Sequence, residues 1–173
     1  MSVRVKLNLP RGIWTAKDTK TIASNTLATV KRRTMKGISS KGNKFKKYST
    51  TPLYVAFQGA RLKPKGGTRL SRTGKSIYYA GGYQQYKHDS RKRQGGKGRT
   101  AEVDLVLSGQ LMNNLVVLEA TETRFRIGLT QHVQHYGYEV HKVRPYIGLT
   151  DDEIEVLVNA VAFDMSKKLG RNV

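Results

Sequence analysis

Apolar and polar residues alternate at the start of the chain, over residues 3–9. This period of two predicts a half-buried β-strand. Pro10 is expected to end the strand, because proline cannot donate a hydrogen bond to a neighbouring strand.

A helical period follows from about Thr15 to Lys36, with a narrow apolar stripe formed by Ile22, Ala23, Leu27 and Val30. Asp18 in the first turn and basic residues in the last turn, Arg32 and Arg33 among them, suit the helix dipole. Gly37 predicts the C-terminal end. We expect this helix to bury its stripe and to offer its cationic end to solvent or to a partner.

The end of the chain carries the clearest helical pattern. Thr150 followed by Glu153 has the form of a capping box, in which each side chain satisfies a free backbone amide. Apolar residues then recur at helical spacing as far as Gly170, namely Ile154, Leu157, Val158, Val161, Ala162 and Met165. The pattern predicts an amphipathic closing helix.

The segment before this helix predicts short strands. Val103, Leu105 and Leu107 alternate with acidic residues, and a short helical piece is expected around Leu111–Asn114. Leu115–Glu119 and Arg124–Leu129, separated by a polar stretch, predict an antiparallel pair.

The middle of the chain has weaker periods. Residues 38–52 predict a loop, and two strand-like patches, Leu53–Phe57 and Ser76–Ala80, flank the basic stretch RLKPKGGTRLSR. Residues 87–99 are rich in Lys, Arg and Gly, so we expect them to be mobile until they dock on a partner.

These elements predict an α+β fold: a small antiparallel sheet packed by a long N-terminal helix and a C-terminal amphipathic helix. The length suits one domain, residues 1–173, with residues 38–100 as a basic, Gly-rich, extended loop or hairpin insertion.

Charge separates the same two parts. Residues 1–99 contain 25 basic and 2 acidic residues, whereas residues 100–173 contain 7 basic and 10 acidic residues. The excess predicts a polyanion or an acidic protein surface as partner. The chain has no cysteine, so it has no disulfide and no thiolate metal site. No signal peptide or membrane span is expected, and a cytoplasmic origin is the default.

The candidates for chemistry are weak. Asp151, Asp152 and Glu153 suit the dipole of a helix start better than a metal site. His132, His135 and His141 lie close in sequence, but Gly137 makes a continuous helix there doubtful, which favours structural or interface histidines over metal ligands. Residues 73–76, TGKS, copy the end of a phosphate-binding loop, but Arg69 stands where its first glycine should be. We therefore expect no enzyme, no cofactor and no metal.

Tyrosines and cations are interleaved over residues 78–93, where cations can bind phosphates and rings can stack on bases. The alternative is that the tyrosines, Tyr78, Tyr79, Tyr83 and Tyr86, pack inside while the cations, Lys87 included, face solvent. The candidate contacts with a partner or DNA are Lys41, Lys44, Lys46, Lys47, Arg61, Lys63, Lys65, Arg69, Arg72, Lys75, Arg91, Lys92, Arg93, Lys97 and Arg99.

Three ordered motifs resemble the virion-morphogenesis, or tail-completion, family of tailed bacteriophages. They are VDLVLSGQLMNNLVV, the passage from His132 to the RPYIGLTDDE segment, and the opening helix with the basic loop after it. Together they cover about half the chain. The residues that carry the likeness are Ser108, Gly109, Tyr136, Gly137, Arg144, Pro145, Tyr146, Thr150 and Glu153.

The resemblance implies a non-enzymatic structural protein of the virion neck or tail, made in the host bacterial cytoplasm. It implies a homo-oligomeric ring of six copies or a multiple at the head–tail joint. Its expected partners are neighbouring connector and tail proteins, with non-specific contact to lumenal DNA and none to a membrane. The alternative class is a nucleic-acid-binding module, ribosomal or associated with DNA packaging.

Overall fold

A computed structural model describes residues 2–9, 12–56, 68–93, 95, 98, 100–101 and 103–170. The chain divides into two compact units: residues 1–46 with 104–173 form unit 1, and residues 47–103 form unit 2. Each contains one three-stranded antiparallel sheet and at least one helix, so the predicted α+β class is confirmed. Residues 38–46, which the sequence placed in the insertion, belong to unit 1.

The sheet of unit 1 joins the start of the chain to its second half. Strand β1 (Ser2–Lys6) is antiparallel to β6 (Arg124–Leu129), and β6 is antiparallel to β5 (Leu115–Ala120), in the order β1-β6-β5. The predicted opening strand and the predicted antiparallel pair are confirmed. Phe125 and Leu129 of β6 are fully buried, so the central strand supplies the core.

Helix α1 (Ala16–Met35) packs on β5 and β6 through the predicted stripe, in which Ile22, Ala23 and Val30 are buried. The backbone amides of Thr15 and Asp18 bond each other's side chains at 2.8 and 3.3 Å. This capping box explains why the helix begins there. Gly37, with φ at 78°, follows the last turn, as the sequence predicted.

The other regular elements described in unit 1 are helices. Helix α3 (Gln110–Asn113) matches the predicted short piece, and α5 (Asp151–Gly170) matches the predicted closing helix. The predicted capping box is present, because Glu153 N bonds Thr150 Oγ1 at 3.2 Å and Thr150 N bonds Glu153 Oε2 at 3.0 Å. We label the remaining helix of unit 1, Gln134–Val143, α4.

Unit 2 has its own sheet, β2 (Leu53–Ala56), β3 (Thr68–Leu70) and β4 (Ser76–Tyr79), in the order β2-β4-β3. Both predicted strand-like patches are therefore strands. Helix α2 (Gly82–Arg93) packs against β4. The backbone of Gly82 has φ at 64°, and an added Cβ would lie 2.5 Å from the carbonyl oxygen of Thr51. Only glycine fits at this junction of strand and helix.

Three sequence predictions are corrected. Residues 103–107 do not form a strand, because Asp104 Oδ1 accepts a bond from the amide of Val106 at 3.1 Å and Leu105 has φ at 53°. The side chain turns the backbone locally in place of a strand ladder.

The helix doubted around Gly137 exists as α4, preceded by a 3-10 turn over Gln131–Val133. Close packing of Gly137 outweighs its low helix propensity. The third correction concerns the stretch 87–99, of which residues 87–93 are helical rather than unstructured. Lys87 and Ser90 are buried there, so tertiary packing orders the segment.

Candidate functional site

A buried ion pair joins the end of α1 to the start of α5. Arg33 Nη1 contacts Glu153 Oε2, and the two side chains are 7% and 11% exposed. Arg33 Nη2 also donates to the carbonyl oxygens of Tyr146 and Gly148 at 2.7 and 3.0 Å. Burial lowers the pKa of Arg33, and the Glu153 carboxylate opposes this shift. The prediction that the cationic end of α1 faces solvent is therefore wrong for Arg33.

Gly137 and Tyr146 form a close contact beneath α4. A Cβ on Gly137 would lie 1.9 Å from Leu129 Cδ1, and Tyr146 Oη donates to the carbonyl oxygen of Gly137 at 3.3 Å. Tyr146 is fully buried, and burial raises its pKa. The Nδ1 atom of His141 lies 3.3 Å from the amides of both Tyr146 and Ile147 and accepts from them. These motif residues fix the path of the chain into α5.

The rest of the motif residues are also largely structural. The carbonyl oxygen of Pro145 accepts from the amide of Ser40 at 2.8 Å. Arg144 Nε donates to the carbonyl oxygen of Lys46 at 3.1 Å. The RPYIGLT segment is therefore bonded to the loop that follows α1.

Ser108 and Gly109 form the start of α3. Gly109 has φ at 79°, and Ser108 Oγ accepts from the amide of Gln110 at 3.4 Å. Tyr136, in contrast, lies on α4 with 51% of its surface exposed. Of the motif residues, it is a surface candidate rather than a packing residue.

Most of the titratable candidates lie at the surface of unit 1. His132 and His135 are exposed, whereas His141 bonds the backbone. Asp151 and Asp152 are exposed in the first turn of α5. No three His, Asp or Glu residues in the described part of the chain are arranged to hold a metal.

The TGKS sequence spans the turn after β3 and the first residue of β4, and Gly74 in the turn has φ at 68°. A phosphate-binding loop connects a strand to a helix. This turn connects two antiparallel strands, so it lacks that geometry.

The outer surface of α5 is strongly apolar. Only Val161 and Met165 are buried among its residues, although ten of its positions carry apolar side chains. Five large apolar side chains are between 46% and 66% exposed: Ile154, Val156, Val158, Phe163 and Leu169. Val156 and Phe163 are seven residues apart and share one face of the helix. A helix that is apolar on several faces is normally buried on several faces.

An apolar groove of about 620 Å³ lies between α5 and β1. One wall is formed by Val3, Val5, Leu7 and Leu9, and the other by Leu149 and α5 residues that include Ile154, Val158 and Met165. β1 is at the edge of its sheet. We call the groove together with the exposed side chains of α5 the α5 surface.

The predicted cationic contacts divide between the two units. Lys41, Lys44 and Lys46 are exposed in unit 1, whereas Lys47, Arg69, Arg72, Lys75 and Lys92 are exposed in unit 2 and Arg91 is half-buried. Arg61, Lys63, Lys65, Lys97 and Arg99, and the side chain of Arg93, lie outside the described residues.

Several residues that the sequence suggested as binding residues pack in the core of unit 2 instead. Lys87 is 1% exposed, its Nζ contacts Tyr48 Oη, and it lies 4.1 Å from the centre of that ring. The Tyr86 ring packs edge to face against Tyr79 and tilted against Tyr83. The prediction that Lys87 faces solvent or binds phosphate is therefore wrong.

The other face of the unit 2 sheet carries an aromatic row. Tyr54 on β2, Tyr78 on β4 and Arg69 on β3 are directly paired across the three strands. The two rings are 5.0 Å apart with a 52° angle between their planes, and Arg69 Cζ lies 4.5 Å from the centre of the Tyr78 ring. Tyr54 is 57% exposed. We call these three residues the Tyr-Arg row.

Sequence reasoning missed Tyr54. The sequence pattern that could have identified Tyr54 is the alternation in β2, because it places Tyr54 on the opposite face of the strand from Leu53 and Val55. The pairing of three strands that brings Arg69 to Tyr78 was not visible in any local pattern.

Comparisons with protein-family models, curated proteins and solved structures give no match to this chain. Within the described ranges, none of the helices combines the length and the apolar character needed to cross a bilayer.

Proposed function

We propose that this chain is a non-enzymatic structural subunit that assembles with copies of itself into a ring at the neck or tail of a tailed bacteriophage. The observation that carries the assembly part is the α5 surface. Exposed apolar patches of this kind on one copy favour burial against another protein surface.

Ring assembly requires two different surfaces on each copy, because a head-to-tail contact generates a ring when the rotation closes. The α5 surface contains two parts that could serve as these two surfaces. Val156 and Phe163 project from one side of α5, and the groove opens between its other side and β1. The exposed residues of one copy are suited to the groove of the next.

The bacteriophage part of the proposal rests on the resemblance. In support of it, most residues that carry the likeness serve the packing of unit 1, around Arg33, Gly137 and Tyr146. Motifs whose residues stabilise the fold, and do not take part in a reaction, are what we expect of a structural subunit that acts through shape-complementary contacts. Unit 2, with 13 basic and 2 acidic residues, would meet an acidic connector surface or lumenal DNA.

Assembly is tested by measuring the mass of the purified chain in solution by native mass spectrometry. We expect the wild type to form closed oligomers, and a Val156→Asp/Phe163→Asp double variant to remain a single copy. Ser24→Asp, which adds a charge at an exposed position of α1, is the matched control and should assemble. A wild type that stays a single copy at all soluble concentrations would contradict the proposal.

The virion role is tested by deleting the coding sequence from the phage genome that carries it. We expect filled heads and separate tails in electron micrographs, with joining restored by the wild type and by Ser24→Asp but not by the double variant. Joined particles after deletion would exclude this role.

A further inference from the structure

We propose that the exposed face of the unit 2 sheet binds single-stranded nucleic acid, with the Tyr-Arg row as the platform on which unpaired bases stack. This inference concerns a different unit and does not rest on ring assembly by unit 1. It is carried by the row geometry, by the charge of unit 2 and by the small side chains beside the row.

The geometry of the row suits stacking. Tyr54 and Tyr78 are neighbours on adjacent strands, and Tyr54 leaves more than half of its surface to solvent. Aromatic rings and the planar guanidinium of Arg69 both stack on bases, and such contacts tolerate any base sequence. Tyr54 therefore presents the exposed ring of the row, and Tyr78 is half-buried beside it with the Arg69 guanidinium over its ring.

Small side chains follow the row on the same face of the sheet. The next pair on the same side of β2 and β4 is Ala56 and Ser76. Both side chains are small, so they leave room for a second base next to the two tyrosine rings.

Cations are placed where the sugar-phosphate backbone would continue. Arg72 and Lys75 are exposed in the turn between β3 and β4. Lys75, the residue before β4, is three residues from Tyr78, a distance of about 10 Å at the usual rise of a strand. Of the two acidic residues of unit 2, Asp89 lies on α2 and not in this sheet, and Glu102 lies outside the described residues. The surface thus has the charge that phosphates require.

Single-stranded nucleic acid fits this surface better than a duplex or an acidic protein does. In a duplex the bases are stacked on each other and present no free faces to tyrosine. An acidic protein surface would be held by the cations alone and would make no use of exposed Tyr54. The dependence of binding on Tyr54 therefore separates the three partners.

The test measures the affinity of the full chain for a fluorescent 12-nucleotide oligo-dT by anisotropy, with a 12-base-pair duplex and 12-residue polyglutamate as competing ligands. We expect Tyr54→Ala to weaken oligo-dT binding about tenfold, which is the size of one stacking contact. Tyr54→Phe, which keeps the ring, should stay within about twofold of the wild type. Duplex and polyglutamate affinities should not change in either variant.

Two matched controls accompany this measurement. Tyr138→Ala removes an exposed tyrosine of unit 1 that carries Lys142 over its ring at 4.4 Å, and it should bind oligo-dT as the wild type does. Lys75→Gln, in the turn where the sugar-phosphate backbone would continue, should weaken binding and reduce the dependence of log affinity on log salt by about 0.7, the value for one phosphate contact of a single strand. Lys20→Gln, exposed on α1, should leave the salt dependence unchanged.

The proposal is overturned if Tyr54→Ala binds oligo-dT like the wild type while its melting temperature is unchanged. It is also overturned if duplex or polyglutamate binding falls by the same factor. The measurements are repeated in the Val156→Asp/Phe163→Asp background, where binding that still depends on Tyr54 supports the inference even when ring assembly has failed.

Discussion

Arg33 on α1 and Glu153 on α5 are separated by 120 residues in the sequence and form a buried ion pair. The same guanidinium bonds the carbonyl oxygens of Tyr146 and Gly148. One side chain therefore connects the long N-terminal helix, the closing helix and the segment between α4 and α5.

We expect Glu153→Ala to reduce the free energy of unfolding by about 3–5 kcal/mol, because it leaves Arg33 buried without its counter-charge. Urea denaturation measures this change. Glu155→Gln, at an exposed position of the same helix, is the control and should shift the value by less than about 0.5 kcal/mol. Equal effects of the two substitutions would refute the structural role of the pair.

Gly137→Ala should destabilise unit 1 by about 1–3 kcal/mol, because the added methyl group overlaps Leu129 and forces the core to shift. Thermal unfolding followed by circular dichroism provides the measurement. Gly170→Ala, where an added Cβ has no neighbour within 4 Å, should leave the melting temperature near that of the wild type. A stabilised Gly137→Ala protein would show that α4 does not pack as described.

His141 predicts a pH dependence of stability near neutrality. Burial lowers its pKa below the ordinary 6.5, so the unfolded state takes up a proton before the folded state does. The free energy of unfolding should therefore fall as the pH drops through about 6.5 and level off below the folded pKa. His141→Asn should remove this slope, whereas His135→Asn, at an exposed position, should retain it.

Asp18 predicts a second pH dependence of stability, at acidic pH. Its bonds to Lys168 and Thr15 lower its pKa from 3.8 to about 2, so its contribution is present above pH 3.8 and is lost as the pH falls through about 2. Asp18→Asn should remove the pH dependence of the free energy of unfolding over this interval, measured by denaturation at a series of acidic pH values. Asp152→Asn, at an exposed position of α5, should keep the wild-type slope there.

Local patterns were sufficient for most helices and strands of unit 1. The capping boxes at Thr15 and Thr150 mark helix starts through contacts between residues three apart, and these are visible in a sequence. The prediction of a strand at residues 103–107 was wrong. The residues do alternate, but the Asp104 side chain accepts a hydrogen bond from the local backbone, which takes the place of pairing with another strand.

Contacts between residues that are distant in the sequence could not be predicted from local patterns. The burial of Lys87 depends on Tyr48, 39 residues earlier, and the helix through Gly137 depends on Leu129 and Tyr146. For the candidate sites, the sequence identified Arg69 and Tyr78 separately. Only the strand register brings them together with Tyr54.

The edge position of β1 bears on one way in which two copies could meet. Arg4 and Lys6 are exposed on this strand, and an antiparallel union of two β1 strands would bring like charges opposite each other, which is unfavourable. A two-fold dimer built by joining these edges is thus disfavoured, as in other proteins that protect a sheet edge with cations. Copies that meet through unlike surfaces avoid this repulsion, so the two cations disfavour one kind of two-fold contact.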